Sequence, residues 1–302
     1  MSLLKQIPKL LPKLPDFYVD DIIKRALEED INYIDVTSDL LLSPDNRTKA
    51  VIKSKADGIL SGLEIAARVF SFDSWGSRIA SVTVTPFIQD GEKLEVGTII
   101  CEISGSTCAI LKAERTALNF LQHMSGIATY TRRCVDAISG TNARIVDTRK
   151  TLPGLRSLQK YAVLCGGGNN HRFNLSAAAM LKDNHIDAYG SITVAVQALR
   201  ERAGHMIPVE VEVRDLEQLR EAISAGANII LLDNMNADTM RQAVEITQRR
   251  AVLEASGNIT LENIRETAET GIDIISLGAL THSVKAFDMS LVICNKESKC
   301  IN

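Results

Sequence analysis

The sequence predicts a mixed α/β protein, with an α+β unit ahead of a series of βα repeats. Three observations carry this. The chain has 302 residues, 45% of them hydrophobic and 24% charged, enough for one large or two medium domains with ordinary cores. Its first third mixes alternating strand patterns with two amphipathic helices. From Ala143 onward, short apolar β-branched runs alternate with amphipathic helical segments at roughly 20–30 residue spacing, as in a barrel or a doubly wound parallel sheet.

The elements follow in order. Residues 1–14 carry Pro8 and Pro12 and lack the unbroken apolar core of a signal peptide. No run approaches the ~20 apolar residues of a membrane helix. We read a cytoplasmic protein. A net charge of −3 and a pI near 6.0 give no case for a nucleic-acid or membrane partner. Pro15 to Asp30 reads as a helix, with Val19, Ile22, Ile23 and Leu27 on one face. Asp35-Val36-Thr37-Ser38 is capping chemistry. Thr48–Lys55, Val82–Phe87 and Thr98–Ile103 read as strands, and Gly62–Phe72 as a helix. Glu114 opens a long helical stretch to about Ser139. Arg115 then sits in a first turn, where a cation opposes the macrodipole by roughly 0.3–1 kcal/mol. Either an ion pair or a bound anion would offset it.

The strand runs of the second part are Ala143–Asp147, Ala179–Lys182, Pro208–Val213, Asn228–Asp233, Ala251–Ala255 and Asp273–Gly278. Helices at Ile192–Ala203, Asp215–Ala225, Ala237–Gln248 and Thr260–Thr270 lie between them. Each run ends in a polar residue or glycine: Arg149 and Lys150, Lys182, Glu212, Asp233, Glu254 with Ser256-Gly257-Asn258, and Gly278. In a βα barrel these ends converge on the face where active sites sit. The early ends supply cations, joined by His171 and Arg172 after the run Gly166-Gly167-Gly168. Such a concentration of positive charge in an acidic protein implies a small polyanionic ligand. Glu212 and Asp233 suit ribose hydroxyls or a hydrated Mg2+. Ser256, Gly257, Asn258 and Gly278 suit a phosphate bound through backbone amides.

The remaining histidines carry less. His123 reads as structural, His205 as solvated, and His282 as a candidate phosphate contact. His185 is divided between supporting Lys182 and packing. The cysteines, Cys101, Cys108, Cys134, Cys165, Cys294 and Cys300, show neither zinc spacing nor a disulfide framework. They read as small buried hydrophobes or surface thiols.

On Glu114-Arg115-Thr116-Ala117-Leu118-Asn119, Asp147-Thr148-Arg149-Lys150-Thr151-Leu152-Pro153-Gly154, Lys182-Asp183-Asn184-His185-Ile186, Glu210-Val211-Glu212-Val213, Leu232-Asp233-Asn234-Met235, Glu254-Ala255-Ser256-Gly257-Asn258-Ile259 and Ser276-Leu277-Gly278-Ala279-Leu280-Thr281, the sequence resembles the quinolinate phosphoribosyltransferases. The resemblance implies an N-terminal α/β sandwich domain (1–125) and an open, incomplete α/β barrel (126–286) of the type II phosphoribosyltransferase kind. A tail, 287–302, would pack back on the first domain. The implied reaction joins quinolinate to phosphoribosyl pyrophosphate (PRPP) with Mg2+, in NAD biosynthesis, and the implied assembly is a homodimer, or a higher form such as a hexamer, with shared sites. By similarity, Arg115 of a partner subunit, Arg149, His171, Arg172 and Lys182 would hold quinolinate with Lys150 close by. Glu212 and Asp233 would face the ribose and metal of PRPP, and Lys150, Lys182, Glu212 and Asp233 would be catalytic. Ser256, Gly257 and Gly278, with Asn258 beside them, would hold the 5′-phosphate. The competing readings are a phosphoribosyltransferase with another acceptor such as nicotinate, a phosphate-binding barrel isomerase, and a non-catalytic metabolite sensor.

Overall fold

The computed structural model describes residues 11–72 and 82–294. The expectations for residues 1–10 and 295–302, including Cys300, lie outside them. The chain divides into two compact units. One comprises residues 1–129, 152–167 and 284–302, the other 130–151 and 168–283.

The first unit opens with α1 (Asp16–Asp30), whose Val19, Ile23 and Leu27 recur every fourth residue and are buried. The single turn α2 (Ser38–Leu41) is set by Asp35, whose Oδ1 accepts the amides of Thr37 and Ser38 at 2.9 and 3.0 Å. Then come β1 (Arg47–Ser54), β2 (Gly58–Ile59), α3 (Leu63–Phe70), β3 (Thr83–Pro86), β4 (Lys93–Leu94) and β5 (Ile99–Ser106). Strand β1 pairs antiparallel with β5, and β5 with β3. The Asp90 carboxylate caps α3, accepting the amides of Gly62 and Leu63 at 2.8 and 3.0 Å.

Helix α4 runs from Thr107 to Ala137. It therefore begins seven residues before Glu114, and Arg115 lies more than two turns inside it. The expectation of a cation in a first turn fails. Cys108, Ala109, Ile110, Lys112 and Ala113 are all buried, so this start lacks a polar stripe and reads as apolar chain continuing from β5. The buried Lys112 is matched by Asp39 at 2.5 Å.

The second unit contains the parallel sheet. Its strands are β6 (Arg144–Val146), β7 (Ala179–Leu181), β8 (Val209–Val213), β9 (Ile229–Asp233), β10 (Val252–Ser256) and β11 (Ile274–Ser276). Helix α5 (Arg156–Cys165) follows β6 but clusters with the first unit. Helices α6 (Asp183–Tyr189), α7 (Ile192–Arg202), α8 (Leu216–Ser224), α9 (Ala237–Thr247), α10 (Ile264–Glu269) and α11 (Ala279–His282) separate the later strands. The side chains of Ser191, Asp215 and Asn236 each accept an amide from the first turn of α7, α8 and α9. The strands are rich in buried aliphatics, as suits a parallel sheet, but Glu210 and Glu212 in β8 and Glu254 in β10 interrupt the apolar runs. The strand order is β6-β11-β10-β9-β8-β7, all parallel.

That order leaves β6 and β7 as edges. Residues 169–172 link them. Asn169 makes a parallel bridge to Val146, its amide donating to the Ile145 carbonyl at 2.8 Å. Arg172 then donates to the Ala178 carbonyl at 2.8 Å, beside β7. The sheet thus curls into an open barrel. The glycine run ends α5, with Gly166 at the cap and Gly167 at φ 92°.

The last strand, β12 (Met289–Ile293), returns to the first unit and pairs antiparallel with β1, from Ala50↔Ile293 to Ser54↔Met289. The first antiparallel sheet is therefore β12-β1-β5-β3. The division differs from 1–125 and 126–286 chiefly in residues 152–167, which belong with the first unit. Cys101, Cys108, Cys134 and Cys165 are buried and free, as expected, but Cys294 is disulfide-bonded, against expectation.

Candidate active site

A cavity of about 650 Å³ opens in the second unit, where the strand ends converge. Arg149, Lys150, His171, Arg172, Lys182, Glu212, Asp233, Ser256, Gly257, Asn258 and Gly278 all line it.

The β6 end is fixed from both sides. Asp147 is fully buried, and its Oδ1 accepts the His171 amide at 2.8 Å. The Lys150 amide donates to Thr148 Oγ1 at 3.0 Å, and the Lys150 carbonyl accepts from Thr281 Oγ1 at 2.7 Å. Arg149 and Lys150 are thereby held in a loop tied to α11. Arg172 has its guanidinium acidified by burial and by the neighbouring Arg149 charge, partly offset by Glu210.

Lys182 stands just before α6. Its backbone amide donates to His185 Nδ1 at 3.0 Å, so His185 supports the Lys182 turn. The Lys182 ammonium contacts Glu212 Oε2 at 2.6 Å. Asp233 ends β9 and accepts from Asn234 Nδ2 at 3.0 Å. Asn234 lies at φ 53° and Asn258 at φ 52°, and Asn258 Nδ2 donates to Asn234 Oδ1 at 2.9 Å. These asparagines tie the β9 and β10 loops together. Gly257 sits between them at φ 90°, and a Cβ there would meet Asn234 Oδ1 at 2.2 Å. A side chain is thus excluded twice, by backbone conformation and by space. At Gly278 a Cβ would approach the His282 ring and the Lys150 side chain at 3.0 Å. His282 also lines the cavity.

Sequence reasoning missed the partners of His171. Its Nε2 lies 3.3 Å from Glu210 Oε2 and 3.5 Å from Glu254 Oε2. Both carboxylates are 2% exposed. Burial alone would lower the imidazole pKa, but hydrogen bonds and charge from Glu210 and Glu254 together outweigh it and push it up to about 10. The signal was available. Strand alternation puts Glu210 on the same face as Glu212, and Glu254 on the same face as Ser256.

The other expectations resolve simply. Arg115 is exposed on α4 and is not among the residues lining this cavity. His123 is half-buried, its pKa lowered by burial, with its Nε2 2.9 Å from Gln159 Nε2. His205 is exposed. No described helix is long and apolar enough to cross a membrane.

Comparison with known proteins adds a second line. Residues 35–125 match the family described as quinolinate phosphoribosyl transferase, N-terminal domain, and residues 127–292 match its C-terminal domain. The chain is 45% identical over 263 residues to a probable nicotinate-nucleotide pyrophosphorylase [carboxylating] of Bacillus subtilis, covering 87% of this chain and 89% of that one. It is 42% identical to the nicotinate-nucleotide pyrophosphorylase [carboxylating] of Mycobacterium leprae, over 90% of this chain and 95% of that one. Among solved structures, NadC from Streptococcus pyogenes superimposes with a TM-score of 0.88 at 42% identity, covering 94% of this chain and all of the other.

Proposed function

Because this chain belongs to the quinolinate phosphoribosyltransferase family, we propose that its cavity joins quinolinate to PRPP, yielding nicotinate mononucleotide, pyrophosphate and CO2 for NAD biosynthesis. The observation that carries this reading is the composition of the cavity wall. Arg149, Lys150, His171, Arg172 and Lys182 face one space together with Glu212 and Asp233. The first group suits an aromatic dicarboxylate and the second a pentose.

The chemistry follows from these side chains. Arg149, Arg172, His171 and Lys182 hold the two carboxylates of quinolinate through charge-assisted hydrogen bonds, each contributing roughly 1.5–3 kcal/mol. Lys182 leaves or shares its contact with Glu212 as the substrate arrives. The pyridine nitrogen then bonds to C1 of the ribose, and the C1–O bond to pyrophosphate breaks with its electron pair leaving on oxygen. Glu212 and Asp233 stabilise the positive charge developing at the ribose. The ring nitrogen, now cationic, draws in the electron pair of the bond to the adjacent carboxylate. CO2 departs, and a proton takes its place on carbon. Lys150 and Lys182 are the ammonium groups nearest this step in role.

Gly257, which cannot carry a side chain, leaves backbone amides of the 256–258 loop open to the 5′-phosphate, with Gly278 beside them. Glu212 and Asp233 end neighbouring parallel strands and line one cavity, a donor set that fits Mg2+ taking one or two protein carboxylates plus substrate oxygens. When bound, Mg2+ supplies neutralisation of the pyrophosphate charge.

We also assign a shared site in a homodimer, with Arg115 meeting quinolinate in the partner. The support is that Tyr33, Val36, Leu40 and Leu41 leave apolar surface exposed, as interfaces do.

The test is release of labelled CO2 from the 2-carboxylate of quinolinate, dependent on PRPP. Turnover of nicotinate with no turnover of quinolinate would overturn the assignment in favour of another acceptor.

A further inference from the structure

We propose that Glu210 and Glu254 are positioning residues that hold His171 as a permanent imidazolium, so that the cavity keeps this cation for an anionic ring substrate across the neutral pH range; the inference rests on the quinolinate reading only for the substrate's identity. The geometry comes first. One ring nitrogen, Nε2, lies 3.3 Å from Glu210 and 3.5 Å from Glu254. The two carboxylates come from β8 and β10, with β9 between them. Both are shut off from water, and Glu254 Oε1 has no hydrogen-bond partner among the described residues. Two buried carboxylates beside one another are costly unless a positive group joins them. A protonated His171 is that group, and its backbone is independently anchored by the Asp147 carboxylate at 2.8 Å.

The burial of the ring explains why two carboxylates are present. Arg172 adjoins His171 in the chain, and Arg149 is close enough to Arg172 to depress its pKa. Burial by itself would drive a lone imidazole at this wall to its neutral form. Glu210 and Glu254 reverse that bias, consistent with an imidazole pushed up to about 10. Against the ring stand Glu210 from β8 and Glu254 from β10, while Asp147 at the end of β6 holds the His171 amide and the arginines 149 and 172 line the same cavity. The cavity consequently carries carboxylates whose role is to keep a cation rather than to meet the substrate.

Two measurements on the full-length protein test this. The first is the His171 side-chain titration in ligand-free protein, followed by NMR on 15N-histidine-labelled samples, assigned with His171→Asn. We expect His171 to stay charged from pH 6 to 9 in the native sequence, to titrate lower in Glu254→Gln, and to reach the ordinary histidine range of about 6.5 or below in Glu210→Gln/Glu254→Gln. The second is the Kd for quinolinate by calorimetry at pH 6, 7 and 8. The native protein should hold a flat profile, whereas the Gln variants should weaken by up to about tenfold per unit above the new midpoint. Glu254→Asp, which keeps the charge, should restore most of the flatness; a merely structural role would not follow charge in this way.

An imidazole titrating near 6.5 in the native protein, or a flat profile in both Gln variants, overturns the proposal. So does a His171 titration that changes on chelation, because a metal cation would then occupy the place given to the proton. A native protein that keeps its imidazolium yet binds no quinolinate would instead remove the substrate reading while upholding the charge clamp.

Discussion

Lys182 reaches Glu212, from the neighbouring strand, at 2.6 Å, so a cation meant for substrate is already engaged. Its side chain is 47% exposed, and such half-wet pairs contribute little to stability. Lys182→Ala should therefore leave the melting temperature nearly unchanged while lowering kcat/KM for quinolinate. Arg149→Ala should lower kcat/KM by roughly 10- to 150-fold, the loss expected from about 1.5–3 kcal/mol of charge-assisted bonding, as steady-state kinetics would read. His171 makes a separate prediction about stability. Its folded pKa, near 10, lies above the unfolded value of about 6.5. Protonation thus favours the fold fully below about 6.5, and that contribution is lost as pH rises toward 10. Urea midpoints should fall between pH 7 and 10, and His171→Asn should flatten the fall. At this scale the cations were legible because they stand out at apolar strand ends. Glu210 and Glu254 were not recognised as partners of His171, because their pairing joins residues 39 and 83 positions beyond it in the chain.

Among the elements, the parallel strands were legible to within about two residues, since each is a short apolar run bounded by turn chemistry. Helix α4 was misread at its start because its first turns, where Cys108, Ala109, Ile110, Lys112 and Ala113 are all buried, present no exposed polar face to mark the period. The short α6 and α11 were also missed, being too brief for periodicity to show. The loop after β10 gives the element-scale prediction. Gly257→Ala must accept a left-handed φ and a Cβ against Asn234, a conflict costing about 1–3 kcal/mol. Because Asn234 also adjoins Asp233, the KM for PRPP should rise tenfold or more while the Kd for quinolinate stays near its native value. An equal loss for both ligands would refute a phosphate-side role for this loop.

On the scale of the whole molecule, the βα rhythm announced a barrel, but neither the strand order nor the membership of α5 could be read. Both depend on pairings distant in sequence, such as β6 with β11. Assembly supplies a further prediction. Arg115→Ala and Lys182→Ala proteins should each be nearly inactive alone, and mixing should restore activity if each contributes one intact half of a shared site. Heterodimers that form without recovery would rule the shared site out.

The route of the chain has one more consequence. It passes from one unit to the other after residues 129, 151, 167 and 283. No single cut therefore yields two continuous, self-sufficient pieces. Separate expression of residues 1–125 would lack both α5 and β12, one of the two strands that pair with β1, and expression of 126–286 would carry α5 without its neighbours. Complementation by split fragments should fail at that boundary. Folding must bring β12 back to β1 over more than 200 residues, so this long-range closure is a natural candidate for a late step in acquiring the native state.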